Sequence, residues 1–153
     1  MMEERQSSDL RVEHAFTAAQ YRVYPKTPLK EVLDLMVRRG LHALPVVGEQ
    51  YEVLGIITAG DALDRVLREG PGEDDEGREE RQKKLTARDV MTRAVLCVSE
   101  TQPLLDAART MVNRNVGQLP VVRDGELIGL ITRDAVLSAL HGVRDNQDER
   151  EED

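Results

Sequence analysis

Residues 55–61 read Gly55-Ile56-Ile57-Thr58-Ala59-Gly60-Asp61, a strand that passes without a spacer into the first turn of a helix. Ile56 and Ile57 are β-branched and apolar, the composition of a covered strand. Thr58 is a good N-cap, and Asp61 follows three residues later, where a carboxylate reaches back to the capping backbone N–H. The same phrase returns at Gly129-Leu130-Ile131-Thr132-Arg133-Asp134-Ala135, with the acid one place early and Ala135 at the position of Asp61.

The recurrence belongs to a longer one. Sliding the chain by 75 residues pairs Val12–Val47 with Ala87–Val122, and 12 of those 36 positions are identical. They include Thr17/Thr92, Pro28/Pro103, Met36/Met111 and the strand Leu44-Pro45-Val46-Val47 against Leu119-Pro120-Val121-Val122. Beyond those strands the offset falls to 74, so the first hairpin carries one extra residue, and Gly55, Ile57, Thr58 and Leu63 match Gly129, Ile131, Thr132 and Leu137. Such periodicity is a tandem duplication. A copy of about 60 residues buries little surface alone, so the two are expected to bury apolar faces against each other.

The 153 residues include no Trp and one Cys, so the core is aliphatic and an intrachain disulfide is excluded, as in a reducing compartment. No apolar run approaches 18 residues and no leader pattern opens the chain, which reads as soluble and cytoplasmic, with no membrane partner. The net charge of −8 is unevenly spread. Residues 1–9, 69–84 and 144–153 carry −2, −3 and −4, leaving the remainder near +1. That distribution argues against nucleic acid but leaves room for a small anion in the body.

In each copy the pattern predicts strand–helix–strand–strand–helix, an α+β unit. Val12–Phe16 and Ala87–Met91 read as short helical lead-ins. Thr27-Pro28 opens a helix with Thr as N-cap and Pro first inside it. Leu29, Val32, Leu33, Met36 and Val37 make one apolar face, and Gly40 ends it. Ala43–Val47 and Val53–Thr58 pair as a hairpin, and the helix from Ala59 is expected to bury Leu63, Val66 and Leu67. The second copy uses Val95–Val98, Pro103–Arg114, Leu119–Val122, Glu126–Thr132 and Arg133–Leu140, with Asp124-Gly125 as a turn signal. The domain reading is a flexible N-terminus at 1–9, repeats at 10–69 and 85–142, a disordered acidic linker at 70–84 and a disordered acidic tail at 143–153.

These residues resemble a pair of cystathionine-β-synthase (CBS) domains, the Bateman module, over about Val12–Glu69 and Leu85–Gly142. The resemblance implies two βαββα repeats packed sheet to sheet with pseudo-two-fold symmetry. It implies a regulatory module whose clefts take an adenosine-containing ligand such as AMP, ADP, ATP or S-adenosylmethionine. It also implies a homodimer and an effector protein under control, here with no effector domain attached. Asp61 is then the ribose acceptor, Thr58 a ribose or phosphate contact, and Gly55 and Ile56 the wall. His42 and Ala43, with Gln118 and Leu119 in the other copy, face the cleft. Thr132 matches Thr58, and Arg133 beside it could meet a phosphate. Ala135 in place of Asp61 leaves the second cleft degenerate or phosphate-only.

The chemistry of such a junction is sound: a helix N-terminus offers free N–H groups to anions, and a carboxylate accepts both hydroxyls of a ribose. Thr58-x-x-Asp61 is also a capping box in its own right, and the alternative function is a ligand-free structural dimerisation module. Cys97 reads as a buried small hydrophobe, Pro45 and Pro120 as strand-edge features. His14, His42 and His141 lack metal-ligand spacing, so no metal site is expected. No nucleophile–base arrangement and no glycine-rich phosphate loop is present, and the chain is not expected to be an enzyme.

Overall fold

A computed structural model describes residues 9–68, 84–93 and 95–142, with the backbone of the last helix continuing to Glu151. The expected flexible N-terminus but for Asp9, and all of the acidic linker but Lys84, lie outside the described residues. The chain divides into two compact units, Gln20–Val95 and Met1–Ala19 with Leu96–Asp153. Each unit is built from one repeat plus the lead-in of the other.

In the unit Gln20–Val95, helix α1 (Leu29–Arg39) leads to the antiparallel hairpin β2 (Ala43–Val47) and β3 (Val53–Thr58), then α2 (Ala59–Arg68). Gly40 ends α1 at φ 61°, the left-handed cap its position demanded. Pro28 rather than Thr27 occupies the N-cap of α1, because the Thr27 hydroxyl is taken by the backbone N–H of Tyr24 at 3.0 Å. The strand that the pattern places at Gln20–Tyr24 shrinks to Val23, whose N–H donates to Pro45 O at 3.0 Å and whose carbonyl accepts from Val47 N at 2.9 Å. Pro45 is therefore not at an edge; a parallel neighbour asks only for its carbonyl. Leu29, Val32, Met36, Leu44, Val46, Ile57 and Ala62 form the core. From α2 only Ala62 is buried, while Leu63 and Leu67 stay exposed, so the predicted burial of those leucines is overturned.

The short helix α3 (Ala87–Val90) opens the lead-in of the second repeat, and that lead-in joins this unit. Ala87 N–H donates to Thr27 O at 2.8 Å and Arg88 N–H to Pro25 O at 3.0 Å. Thr92 then pairs with the outer edge of β3, exchanging both backbone bonds with Ile56 at 2.9 and 3.0 Å. The pairing needs Gly55: a Cβ there would lie 2.7 Å from Met91 Sδ and 2.9 Å from Thr92 O.

The other unit repeats the plan. Its sheet runs in the order β1 (Thr17–Ala18), β6 (Glu126–Thr132), β5 (Gln118–Arg123), β4 (Val98–Ser99), with β4 parallel to β5 and the other pairs antiparallel. Helix α4 (Leu104–Arg114) and α5 (Arg133–Glu151) cover it over a core of Leu10, Val12, Leu104, Met111, Leu119, Val121 and Ile131. Here the lead-in is that of the first repeat. Thr17 pairs with Leu130, the duplicate of Thr92 with Ile56, and Gly129 stands where a side chain would strike Phe16 and Thr17. Pro120, in β5 between two neighbours, is no edge feature either.

The sequence reading assigned residues from 10 onward to the first repeat; the chain gives Leu10 and Val12 to the core of the second. An unpaired strand edge explains the exchange, since the incoming arm satisfies N–H and C=O groups of β3 or β6. The tail expected to be disordered continues α5 through Glu151, its backbone carrying no proline to stop it. Cys97 is exposed rather than buried, because the strand begins only at Val98, and partial desolvation pushes its thiol above the usual range.

Candidate functional site

The junction of β3 and α2 assembles most of the residues singled out in the first repeat. Asp61 N–H donates to Thr58 Oγ1 at 3.1 Å, and Thr58 N–H donates to Asp61 Oδ2 at 3.1 Å, a reciprocal capping box. His42 O accepts from Ala59 N at 2.9 Å, and Ala43 faces Thr58 across the ladder. These bonds bring His42, Ala43, Thr58 and Asp61 together although 14 residues of hairpin separate the two segments. His42 is exposed, Ala43 is buried, and Thr58 and Asp61 are half-buried.

One member was missed by the sequence reading. Thr92 Oγ1 lies 3.5 Å from Asp61 Oδ2, brought there by its pairing with Ile56. The available signal was the match Thr17/Thr92 at the head of each repeat, beside two glycines with no turn to make. Gly55 serves that approach rather than forming wall, because its open side is filled by Met91. Both capping and Thr92 engage Oδ2; among the described residues nothing donates to Oδ1. The carboxylate is thus oriented by its own helix through one oxygen, and Oδ1 takes no donor among the described residues.

The second repeat makes half of this arrangement. Ala135 N–H donates to Thr132 Oγ1 at 3.1 Å, but among the described residues no carboxylate answers the Thr132 N–H, and Asp134 is exposed. Gln118 pairs with Thr132 and is half-buried. Leu119 is 2% exposed in the core and cannot meet a ligand with its side chain, which corrects that choice. The true duplicates of His42 and Ala43 are Gly117 and Gln118, one residue earlier, and the strand's alternation sends Leu119 inward. Arg133 extends to the C-cap of α4, where its guanidinium donates to Asn115 Oδ1 at 3.0 Å.

Two hollows of the unit Gln20–Val95 are also defined. One, of about 240 Å³, is apolar and runs between α1 and α2 along Leu33, Val37, Leu41 and Leu63. The other, of about 650 Å³, has a mixed lining under the hairpin turn, with Lys26, Glu49, Glu52 and Arg88 beside Tyr24, Val47 and Leu54. Among the described residues no cluster of three His, Cys, Asp or Glu is placed to hold a metal, and no helix is long and apolar enough to cross a membrane.

Two duplicated βαββα units, each closed by the other repeat's arm and each ending a strand on a capped helix, define a paired-repeat module. The CBS domain model matches residues 20–68 and 87–142, and the chain belongs to the CBS-domain family. It is 31% identical over 144 residues to the chloroplastic CBS domain-containing protein CBSX1 of Arabidopsis thaliana, covering 82% of this chain and 61% of that one. The crystal structure of CBSX2 in complex with AMP superposes with a TM-score of 0.73 at 28% identity, over 88% of this chain and 98% of that one. The CBS domain pair of protein MJ0100, solved with 5′-methylthioadenosine and S-adenosyl-L-methionine, shares the fold at TM-score 0.71 and 21% identity, over 85% and 98% of the chains. The chain spans from 35% to 61% of the length of the first three curated relatives it matches.

Proposed function

We propose that this chain is a regulatory module that binds an adenosine-containing ligand, AMP being the first to test, at the Thr58–Asp61 junction. It works as a homodimer and passes the ligand's preference for one conformation to an effector protein. The observation that carries the reading is the Asp61 carboxylate, held through Oδ2 beside the Thr58 and Thr92 hydroxyls and with no donor to Oδ1 among the described residues. A carboxylate so held can accept a ribose hydroxyl at Oδ1 with little further ordering cost. The AMP complex of CBSX2 supports the same ligand class. Coupling to a partner requires differential affinity between two states.

Calorimetric titration with AMP, ATP and S-adenosylmethionine tests the site. Wild type is expected to bind at least one of them, and Asp61→Asn, which still caps α2, to lose tenfold or more in affinity. Asp134→Asn should leave binding unchanged. Absence of heat with all three ligands would establish the ligand-free dimerisation module instead, for which the capping box is complete as it stands.

A further inference from the structure

The hollow of about 650 Å³ under the first hairpin turn lies apart from the Thr58–Asp61 junction. It sits at the turn end of β2 and β3, four residue steps, or about 13 Å, from the pairing of Ala43 with Thr58. Its cations come from two segments joined through the backbone: Arg88 N–H donates to Pro25 O at 3.0 Å, beside Lys26. Neither cationic side chain has a hydrogen bond or ion pair among the described residues. The acids come from the turn, which is held in shape. Gly48 N–H donates to Glu52 O at 2.9 Å, Gln50 N–H to Glu52 Oε2 at 3.0 Å, and the Arg22 guanidinium lies 4.4 Å over the Tyr51 ring. Glu52 Oε1 takes no donor among the described residues. Tyr24 and Leu54 add apolar wall.

In the other unit the same backbone frame carries different side chains. Glu13 N–H donates to Glu100 O at 2.9 Å, the duplicate of Arg88 on Pro25. There Arg123 crosses from the end of β5 to the turn after β4, where its guanidinium is bonded twice to Glu100. Gly48 and Pro25 stand at the places of that pair, Lys26 at that of Thr101 and Arg88 at that of Glu13. The built-in guanidinium is thus gone from the first unit, and two cations are added. A Cβ on Gly48 would strike the Glu52 carboxylate, so an acid stands where the Arg123 side chain begins in the other unit.

We infer that this hollow binds a free α-amino acid with a cationic side chain, for which L-arginine is the probe. The ligand carboxylate meets Lys26 and Arg88, its cationic groups meet Glu52 and Glu49, and its aliphatic stem lies on Tyr24 and Leu54. A lining of two cations and two acids matches a ligand that carries both signs, whereas a bare anion or a bare cation meets like charge at one end. The volume is that of a small-molecule site. This site and the adenosine site are independent readings, and neither needs the other.

Calorimetric titration with L-arginine, agmatine and L-norvaline tests the inference, since agmatine lacks the carboxylate and norvaline the guanidinium. Wild type is expected to bind arginine saturably, and each of the other two at least tenfold more weakly. Glu52→Gln and Arg88→Glu should each weaken arginine binding tenfold or more. Gly48→Arg combined with Pro25→Glu, which installs the pair of the other unit, should abolish it. Urea unfolding shows which variants remain folded, and Arg88→Glu, at an exposed position, is expected to keep the wild-type transition. AMP titrated into the same proteins reports the Thr58–Asp61 junction separately. No saturable arginine binding, agmatine or norvaline binding as tightly as arginine, or undiminished affinity in any folded variant overturns the inference.

Discussion

Asp61 caps its own helix and carries the ligand role proposed above, and the cap was legible because capping is local: Thr58 and Asp61 find each other within one turn. Thr92 was not legible from its neighbours, since 31 residues separate it from Asp61 and only the strand pairing at Ile56 joins them. Leu63 and Leu67 misled because apolar periodicity gives a face but not what covers it. The glycines separate the local role from the long-range one. Gly55→Ala should lower stability by about 1–3 kcal/mol, because the Thr92 carbonyl at 2.9 Å is backbone and cannot swing aside. Gly60→Ala, whose new Cβ meets only Thr58 Oγ1 at 3.7 Å, should raise stability by about 0.5–1 kcal/mol through helix propensity. Urea unfolding of the two variants measures both signs.

At the scale of elements the hairpins were read almost to the residue, because Val-rich runs bounded by Gly or Asp-Gly leave little choice of register. The first strands were overestimated: Val23 survives as a single bridge and β4 as two residues. The two repeats also differ at the end of their central strands. Arg123 on β5 grips Glu100, in the turn after β4, through two bonds of 2.6 and 2.7 Å, whereas Gly48 and Pro25 at the duplicate positions line the larger hollow. The Arg123 hydrogen bonds hold the Glu100 carboxyl below the usual carboxylate range. Its folded pKa being depressed, the pair stabilises fully above the unfolded value of about 4.3 and is lost as pH falls through the folded one. Glu100→Gln should therefore unfold at lower urea than wild type at pH 7, and the gap should close toward pH 3.

For the whole molecule, the duplication announced two equal halves, and contiguity suggested that each half was its own unit. The missing information was which edge each lead-in would satisfy, a contact between residues far apart in sequence. With the arms exchanged, cleavage at a protease site placed at residue 76 should yield two fragments that stay together through native chromatography and separate only in denaturant. Fragments 1–76 and 77–153 expressed alone should each lack a cooperative unfolding transition and regain it on mixing. Independent folding of either fragment would show that the arms are dispensable.

The borrowed arms carry a further meaning for how such a protein changes over generations. A substitution at Phe16 or Thr17 is felt by the far repeat, and one at Met91 or Thr92 by the near one, so neither copy drifts on its own account. A hybrid that takes one repeat from a relative must inherit that relative's opposite lead-in as well, or it will be assembled from parts that do not fit.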